Sequence, residues 1–520
     1  MTRSTVYLVG AGPGDSKLIT LKGFELVKKA DCIIYDYLVN KELLKHRSSD
    51  CKLIYAGKQA GRHTMSQDEI NRLLAIEART HHTVVRLKGG DPFIFGRGAE
   101  EIAYLKKKGV SFEIVPGVTS AIAVPAYAGI PLTERTSTST VGFITGHEDP
   151  GKPGSDIDWA ALSKALGTMV FLMGVGNLES IVEKLLACGR PKDTPIALIR
   201  WGTTARQKTV TGTLGNIVTL SKNNNMKPPA IIVVGETVRL RKEFNWFEKK
   251  PLFGKRVIVT RTREQASALS DRLSALGAEA IEIPTIEIVS LKADTEISRA
   301  FSKGPYDWIF FTSQNGVGEF VSFLDRSGND SRIFRQAKVC AIGPETAKSL
   351  RAIGIRPDYV PEKFIAEAII GDRHLFPTRK RMDGNRCLSP IKKAFILRAE
   401  KARNILPKGL KRRGYEVTVV DLYDTVIPKA SKGPLKEALE DGVDIVTFTS
   451  SSTVENFMNL IGRDHKRKLS GIKLASIGPV TSGKLREYGL RPDIEAKVYT
   501  IEGLVDAIVR NSTNRANRIG

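Results

Sequence analysis

The sequence has few of the residues that build metal centres or disulfide frameworks. Its five cysteines are scattered along the chain, are odd in number and are never spaced as Cys-x-x-Cys. We therefore expect reduced thiols in a cytoplasmic protein. The seven histidines do not cluster at ligand spacing, so we expect no metal site.

Long hydrophobic runs are also missing. No apolar stretch approaches the roughly 20 residues that a transmembrane helix needs. The residues from Met1 to Ser4 lead directly into a strand, with no sign of a signal peptide. We therefore expect a cytoplasmic location without a membrane partner.

Negative charge is in the minority, because 80 Lys and Arg face 56 Asp and Glu, which gives a formal net charge of +24. A strongly basic protein suggests nucleic-acid binding. The basic residues are spread along the chain, however, and no aromatic-basic recognition motif accompanies them, so we expect no nucleic-acid partner. The charge suits a small polyanionic substrate, which it would steer and hold. A lysine-rich surface without function is the alternative.

The most informative stretch of the N-terminal half runs from Val84 to Gly98. Its apolar start predicts a buried strand, which ends in Gly89-Gly90-Asp91-Pro92 before a helix. Glycines let the backbone approach a ligand closely, and ligands bind beyond the carboxyl ends of strands in open α/β sheets. An ordinary strand-to-helix turn is the alternative interpretation.

A second glycine-rich turn, residues 10–15, lies between a strand and a helix, and the next strand ends at Asp36. This order is typical of dinucleotide-binding folds. The glycines read Gly-x-Gly-x-Gly, however, and Pro13 makes the turn rigid, so an NAD(P)-linked oxidoreductase is kept as the alternative. Strands and helices alternate through the region, which predicts an α/β fold with a parallel sheet.

Eight motifs in one order resemble the uroporphyrinogen-III C-methyltransferase family of the tetrapyrrole methylases over residues 4–245. They are GAGPGD at 10–15, YDYLVN at 35–40, AGK at 56–58, VVRLKGGDPFIFGRGAEE at 84–101, VPGVTSA at 115–121, TGH at 145–147, FLMGVGN at 171–177 and RWGTTARQ at 200–207. The resemblance implies a two-lobed α/β unit, residues 1–245, with lobes of about 1–120 and 121–245. It also implies a homodimer that binds S-adenosylmethionine between the lobes and releases S-adenosylhomocysteine.

The resemblance also implies roles for particular residues. Asp36 would accept a proton and Lys58 would donate one. From its position alone, one helical turn from the Gly-Gly-Asp loop, Arg97 is expected to pair with a substrate carboxylate, and a solvated arginine at a helix start is the alternative. Glu134 stands where family members commonly carry histidine, which puts that histidine's role in doubt here. The expected cofactor contacts are Pro13, Gly89, Gly90, Asp91, Ile94, Thr119, Ser120, Met173, Gly202 and Ala230.

The charged residues 239–251 lack helical or strand periodicity and predict an interdomain linker, which we assign to residues 246–253. The part that follows, 254–520, contains a duplication. The segment from Tyr306 to Ser313 returns from Val443 to Ser450, and Lys338 to Thr346 returns from Lys473 to Thr481. We therefore expect two duplicated α/β lobes that face each other across a cleft lined by hydroxyl groups.

This C-terminal part resembles uroporphyrinogen-III synthase over about residues 254–512, through FTSQNGV, AIGPETA, SIGPVT and a tyrosine in DLYDT. The resemblance implies cyclisation of hydroxymethylbilane without a cofactor. Tyr423 would assist departure of the hydroxyl group by donating a proton. A non-catalytic binding module is the alternative for this half, and the basic segment 371–393 is interpreted as a flexible insertion. The hydroxyls expected in the cleft are those of Ser313, Thr346, Tyr423, Ser450 and Thr481, and a helix N-cap is an equally good interpretation of the serines and threonines.

The two resemblances together predict a bifunctional enzyme of tetrapyrrole biosynthesis. The C-terminal half would make uroporphyrinogen III, and the N-terminal half would methylate it at two carbons toward precorrin-2, the branch point for sirohaem and cobalamin. Both substrates are polycarboxylates, which agrees with the positive charge.

Overall fold

The computed structural model describes residues 4–57, 65–148, 156–260, 263–362, 366–372 and 392–516. Within these ranges the chain is an α/β protein with four five-stranded sheets, two in each half. No helix of the described ranges is both long enough and apolar enough to cross a membrane.

The first sheet is entirely parallel, as expected, with the order β3-β2-β4-β1-β5. Its central strand carries Val84, Val85 and Leu87, which are fully buried because helices cover both faces. All five strands end at one edge, so the turns that carry the predicted site share that edge. The strands are β1 (Thr5–Gly10), β2 (Cys32–Tyr35), β3 (Lys52–Tyr55), β4 (Thr83–Lys88) and β5 (Ser111–Val115), and the helices are α1 (Leu21–Lys29), α2 (Gln67–Glu77), α3 (Gly98–Lys107) and α4 (Ser120–Tyr127).

The second sheet is mixed. Strands β6 and β7 are parallel, and the other neighbours in the order β6-β7-β10-β8-β9 are antiparallel. The sequence analysis missed β9, which is a polar edge strand and therefore lacks a hydrophobic pattern. The strands are β6 (Val141–Thr145), β7 (Thr168–Leu172), β8 (Pro195–Arg200), β9 (Lys208–Thr213) and β10 (Ala230–Val234), and the helices are α5 (Trp159–Ala165), α6 (Leu178–Ala187), α7 (Ile217–Asn223) and α8 (Arg241–Phe244).

The expectation that residues 239–251 lack regular structure is wrong. A 3-10 helix, Glu236–Leu240, leads directly into α8. The following segment packs against both halves: Phe247 is 6% exposed with its ring centroid 4.8 Å from that of Tyr127, and Leu252 is fully buried. Apolar residues within a charged stretch anchor the connection, so it is a folded part of the structure.

The C-terminal half contains two lobes, which confirms the expected two-lobed fold. Lobe A comprises residues 254–283 and 427–516 and holds the sheet β12-β11-β18-β19-β20. Lobe B comprises the described residues between 284 and 426 and holds the sheet β13-β17-β16-β14-β15. The strands are β11 (Arg256–Val259), β12 (Glu279–Glu282), β13 (Glu287–Ser290), β14 (Trp308–Phe311), β15 (Lys338–Ala341), β16 (Lys393–Ala399), β17 (Glu416–Val426), β18 (Ile445–Phe448), β19 (Lys473–Ser476) and β20 (Ile494–Glu495).

The lobes do not each correspond to one copy of the duplicated sequence. More faintly, the segment from Arg256 to Pro284 resembles that from Lys393 to Pro428, which places β11 in the first copy and β16 in the second. Strand β11 nevertheless pairs with β18 of the second copy, and β14 of the first copy pairs with β16. Each lobe therefore combines parts of both copies. The helices are α9 (Arg263–Ala275), α10 (Asp294–Ser302), α11 (Gln314–Ser327), α12 (Pro344–Ala352), α13 (Ala366–Gly371), α14 (Ile405–Arg412), α15 (Lys432–Glu440), α16 (Ser451–Ile461), α17 (His465–Lys468), α18 (Pro479–Glu487) and α19 (Ile501–Ala516).

The buried linker gives a stability prediction. We expect Leu252→Ala to lower the free energy of unfolding of the C-terminal half by about 2–5 kcal/mol, because it removes fully buried methyl groups and leaves a cavity. Urea unfolding followed by circular dichroism measures the change. Leu21→Ala is the matched control, since Leu21 is 85% exposed. An equal, small effect of both changes would contradict a packed linker.

Candidate active sites

Three glycines bring the turns after β1, β4 and β5 into contact at the carboxyl edge of the first sheet. A Cβ atom on Gly117 would lie 2.3 Å from the Gly90 carbonyl oxygen, and one on Gly10 would lie 2.5 Å from the Gly117 Cα atom. These distances exclude any side chain. Gly12 and Gly90 also exchange backbone hydrogen bonds of 3.2 and 2.9 Å, which holds Pro13 beside the Gly-Gly-Asp turn.

The Asp91 carboxylate fastens these turns together. Its Oδ1 atom accepts hydrogen bonds from the N–H groups of Phe93 at 2.7 Å and Ile94 at 3.1 Å, and Oδ2 accepts one from Gly117 at 2.9 Å. The sequence analysis expected this carboxylate to face a ligand. The structure gives Asp91 a positioning role at the site, because its oxygens bind the backbone of two turns.

Asp36 lies next to the same turn. Its Oδ1 atom accepts from the Leu38 N–H at 3.1 Å and its Oδ2 atom from the Gly89 N–H at 3.3 Å. The Arg86 Nη2 atom is 3.9 Å from Oδ2, and the Asp36 side chain remains 26% exposed, so a substrate can reach it. Lys58 lies outside the described residues, so its role as a proton donor stays a prediction.

A buried charge cluster lies beneath Asp36. The Glu101 Oε1 atom accepts hydrogen bonds from Arg86 Nε at 3.2 Å and from Lys88 Nζ at 2.8 Å, and all three side chains are at most 6% exposed. Burial and the neighbouring Arg86 lower the pKa of Lys88, while Glu101 opposes that shift. Two cations thus share one carboxylate directly below the predicted proton acceptor.

The N-terminus of α4 completes the first lobe's contribution. Thr119 caps this helix by accepting from the Ala121 N–H at 3.3 Å, and Ser120 is its first residue. A Cβ atom on Gly90 would lie 3.7 Å from the Ser120 nitrogen, so the glycine leaves space in front of the helix. Such a terminus attracts anionic groups.

The second lobe meets this edge through the turn after β8. Thr203 is the contact residue: its hydroxyl donates to the Pro13 carbonyl oxygen and accepts from the Asp15 N–H at 3.0 Å. A Cβ atom on Gly14 would lie 2.9 Å from the Gly202 carbonyl oxygen. Pro13 and Gly202, which are 189 positions apart in the sequence, are therefore neighbours across the two lobes.

Met173 and Ala230 lie side by side at the ends of adjacent strands. The antiparallel register pairs Leu172 with Ile231, so Met173 follows β7 at the point where Ala230 begins β10. Ala230 also pairs with Arg200, which leads into the Gly202 turn. Met173 is 55% exposed and offers apolar surface at this position.

Backbone strain is concentrated in the site turns. Nine non-glycine residues of the described ranges have positive φ, and five of them lie here. Strain of this kind persists where surrounding contacts enforce it and is common at functional sites. The five are Phe95, Arg97, Met173, Trp201 and Thr203.

Thr203 belongs to the RWGTT motif, but motif order alone did not reveal its contact across the lobes.

Arg97 and Glu134 of the methylase half have neighbouring side chains as partners that the sequence analysis did not predict. Arg97 already forms a two-pronged ion pair with Glu100, with both N–O distances at 2.7 Å, and it is exposed, so substrate binding would require exchange of this partner. Glu134 accepts hydrogen bonds from Thr136 and Ser137 within its own turn, which lowers its pKa. It therefore has a local structural role.

Tyr423 of β17 places its hydroxyl beside Ser313, the residue of lobe B at which α11 begins after β14. Its hydroxyl lies 2.8 Å from the Ser313 hydroxyl, and Ser313 caps α11 by accepting from the Gly316 N–H. Burial raises the pKa of Tyr423, against the opposing effect of the Ser313 hydrogen bond, so the phenol stays protonated at neutral pH. A proton donor requires this state.

The expectation that all the predicted hydroxyls line an open cleft needs correction. Thr346 and Thr481 are 5% and 4% exposed in the first turns of α12 and α18, because these helices pack against their own sheets. Ser450 caps α16 and lies 2.9 Å from the Ser452 hydroxyl, so its helix-capping role is confirmed. Tyr423 is likewise only 5% exposed, so Ser313 in lobe B and Ser450 in lobe A are the predicted hydroxyls that remain half-exposed.

Comparisons with known proteins divide the chain in the same way. The model of the tetrapyrrole (corrin/porphyrin) methylases matches residues 5–218, and that of the uroporphyrinogen-III synthase HemD matches residues 267–506. A porphyrin biosynthesis protein HemD from Ruminiclostridium josui is 36% identical over 512 residues, which is 98% of each chain.

Two further relatives concern the N-terminal half. An S-adenosyl-L-methionine-dependent uroporphyrinogen III methyltransferase from Methanosarcina barkeri is 53% identical over 235 residues, 45% of this chain and 92% of the relative. A crystal structure of uroporphyrin-III C-methyl transferase from Thermus thermophilus complexed with S-adenosylhomocysteine is 38% identical, with a TM-score of 0.40, and the match covers 46% of this chain and 94% of that one.

The two α/β halves and the comparisons define a two-part enzyme of tetrapyrrole biosynthesis. The chain belongs to the tetrapyrrole methylases through its N-terminal half, as a uroporphyrinogen-III C-methyltransferase, and to the uroporphyrinogen-III synthases through its C-terminal half. Its methyl donor is S-adenosylmethionine. The glycine turns, the open N-terminus of α4 and the exposed Met173 fit a ligand that has a carboxylate and apolar parts.

The Asp91 contacts predict a specific loss of cofactor binding. We expect Asp91→Ala to raise the Kd for S-adenosylhomocysteine at least about tenfold and to abolish methyl transfer, because a hydrogen bond to a charged group is worth about 1.5–3 kcal/mol. Calorimetric titration measures the Kd. Asp68→Ala, on the exposed first turn of α2, is the control, and synthase activity should not change. Unaltered binding to Asp91→Ala would contradict the assignment.

Proposed function

We propose that the N-terminal half transfers two methyl groups from S-adenosylmethionine to carbons of uroporphyrinogen III and forms precorrin-2 through precorrin-1. The bound cofactor supplies an electrophilic methyl group. Residues 1–245 carry this activity, and the match of residues 5–218 to the methylases supports the assignment. The strongest support from the structure is the single edge that collects Pro13, Asp36, Gly90 and Gly202.

The protein's task in this reaction is to align a carbon nucleophile with the methyl group and to manage protons. Asp36 takes the proton that the tetrapyrrole carbon loses, and Lys58 returns one. Asp36 is suited to this because its exposed carboxylate is fixed by two backbone N–H groups beside the Gly-Gly-Asp turn. Arg97 exchanges Glu100 for a substrate carboxylate.

The ten predicted cofactor contacts divide between the two lobes. The first lobe supplies Thr119 and Ser120 at the N-terminus of α4, together with the turns after β1 and β4. The second lobe supplies Met173, Gly202 and Ala230 at neighbouring strand ends. This division supports a cofactor bound between the lobes of residues 1–120 and 121–245.

The C-terminal half, residues 254–520, closes hydroxymethylbilane into uroporphyrinogen III with inversion of ring D. Tyr423 donates a proton to the departing hydroxyl group, which leaves as water, and Ser313 orients the phenol from 2.8 Å. Ser450, which is half-buried at the start of α16, binds substrate from lobe A. The match of residues 267–506 to the synthase supports this activity.

The active protein is proposed to be a cytoplasmic homodimer that assembles through the methylase half and binds polycarboxylate tetrapyrroles. Exposed apolar side chains in this half, including Ile122 and Phe244, support a protein contact. Sedimentation measures the assembly state.

The combined reaction is the most direct test of the function. We expect incubation with hydroxymethylbilane and S-adenosylmethionine to give a dimethylated product of the III isomer, identified by mass spectrometry and isomer analysis. Omission of S-adenosylmethionine should stop the sequence at uroporphyrinogen III. Formation of only the I isomer, which arises spontaneously, would mean that the C-terminal half is a binding module.

The tyrosine assignment has its own test. We expect Tyr423→Phe to slow cyclisation about 10²- to 10⁴-fold, the usual contribution of general acid–base catalysis, with no effect on methylation. Initial rates of isomer III formation measure the loss. Tyr306→Phe is the matched control, because this buried tyrosine also loses a bonded hydroxyl but precedes β14 at the opposite end from Ser313. Equal rates for wild type and Tyr423→Phe would assign Tyr423 to packing.

A further inference from the structure

The two halves meet through a surface whose charges are sorted by sign, which we call the docking surface. Among the described residues, each ion pair across it joins a cation of the methylase half to an acid of lobe A. The three lysine pairs are Lys17–Asp271 at 2.8 Å, Lys41–Glu437 at 3.6 Å and Lys45–Glu282 at 3.2 Å.

An arginine adds a fourth point of contact with the same polarity. Arg206 donates to both carboxylate oxygens of Glu279, at 2.8 and 3.0 Å, and also lies 3.7 Å from Asp441. Burial alone would raise the pKa of Glu279, but hydrogen bonds from Arg206 and Arg256 outweigh it and lower the pKa. Glu279 therefore stays ionised and paired with Arg206.

The cations of the docking surface follow the turns of the methylase site. Lys17 comes after the turn of Pro13, Lys41 and Lys45 come after Asp36, and Arg206 comes after Gly202. Lobe A therefore lies against the flank of three site turns. A network continues inward, because Gln207 donates to Glu248 of the linker and accepts from the Thr203 N–H.

Only one synthase lobe is attached in this way. Glu282 is the last residue of β12, immediately before the chain crosses to lobe B. Among the described residues, no ion pair joins lobe B to the methylase half. The linker fixes lobe A further, through the Leu252 N–H bond to the Leu276 carbonyl oxygen at 3.0 Å. In the part of the chain that the structure describes, lobe A is thus the synthase lobe that ion pairs fasten to the methylase half.

We propose that this docking passes uroporphyrinogen III from the synthase cleft to the methylase site before it mixes with the surrounding solution. The inference rests on the proposed function of both halves. A product that leaves a cleft beside the next site meets it at a high effective concentration. Exposed ion pairs are individually weak and are screened by salt, so the transfer depends on the whole set and declines with ionic strength.

Isotope dilution in the full-length protein tests the transfer. Labelled hydroxymethylbilane, S-adenosylmethionine and an excess of unlabelled uroporphyrinogen III are mixed, and the label in the first methylated product is measured by mass spectrometry. We expect wild type to retain more label than the solution pool contains. The variant K17E/K41E/K45E, whose new carboxylates repel lobe A, should lower this retention at least about threefold.

Complementary and matched variants give the experiment its controls. Adding D271K/E282K/E437K to the reversed variant restores opposite charges and should restore retention. The variant K22E/K106E/K222E changes the net charge equally on surfaces away from lobe A and should behave as wild type. The proposal is overturned if the product made by wild type carries no more label than the uroporphyrinogen III in solution. It is also overturned if K17E/K41E/K45E retains as much label as wild type. Each half is also assayed with its own substrate, and a half inactive there contradicts the proposed function instead.

Discussion

The carboxylate of Asp91 provides the hydrogen bonds on which the turns at the carboxyl edge of the first sheet most depend. It holds its own turn closed through two N–H groups and joins it to the turn after β5 through a third. The glycines at this edge make that junction possible, since a side chain at Gly10 or Gly117 would collide with the neighbouring backbone. The ends of β1, β4 and β5 can therefore touch because the glycines there have no side chains and because the Asp91 carboxylate accepts hydrogen bonds from two of the turns.

Much of the first half follows from local sequence. Buried strands such as β10, Ala230–Val234, are continuous apolar runs, and the Gly-Gly-Asp-Pro turn predicts the edge at which a ligand would bind. The hydrogen bond from Gly117 to Asp91 could not be predicted from local sequence, because Gly117 is 26 positions away and meets Asp91 only when the sheet has formed. Thr203 and β9 were missed for related reasons, since one acts only across the lobes and the other is polar.

The duplicated half shows what a repeat can and cannot predict. Two similar segments correctly predicted two similar lobes, and the helix starts at Ser313 and Ser450 were foreseen as N-caps. The division of the segments between the two lobes was not predicted. It is decided by the pairing of β11 with β18 and of β14 with β16, and these strands are far apart in the sequence. This exchange makes the chain cross twice between the lobes, so each lobe depends on both copies.

The net charge of +24 has more than one use in the structure. Arg86 and Lys88 are buried around Glu101, where they attract the Asp36 carboxylate and cannot meet a substrate. The lysines of the docking surface are exposed (Lys17 and Lys41) or half-buried (Lys45), and each pairs with an acid of lobe A. A basic composition therefore does not by itself measure the attraction for a polyanionic substrate. A cation that is exposed at the surface can still exchange its partner for a substrate carboxylate, and the ion pair of Arg97 with Glu100 is exposed in this way.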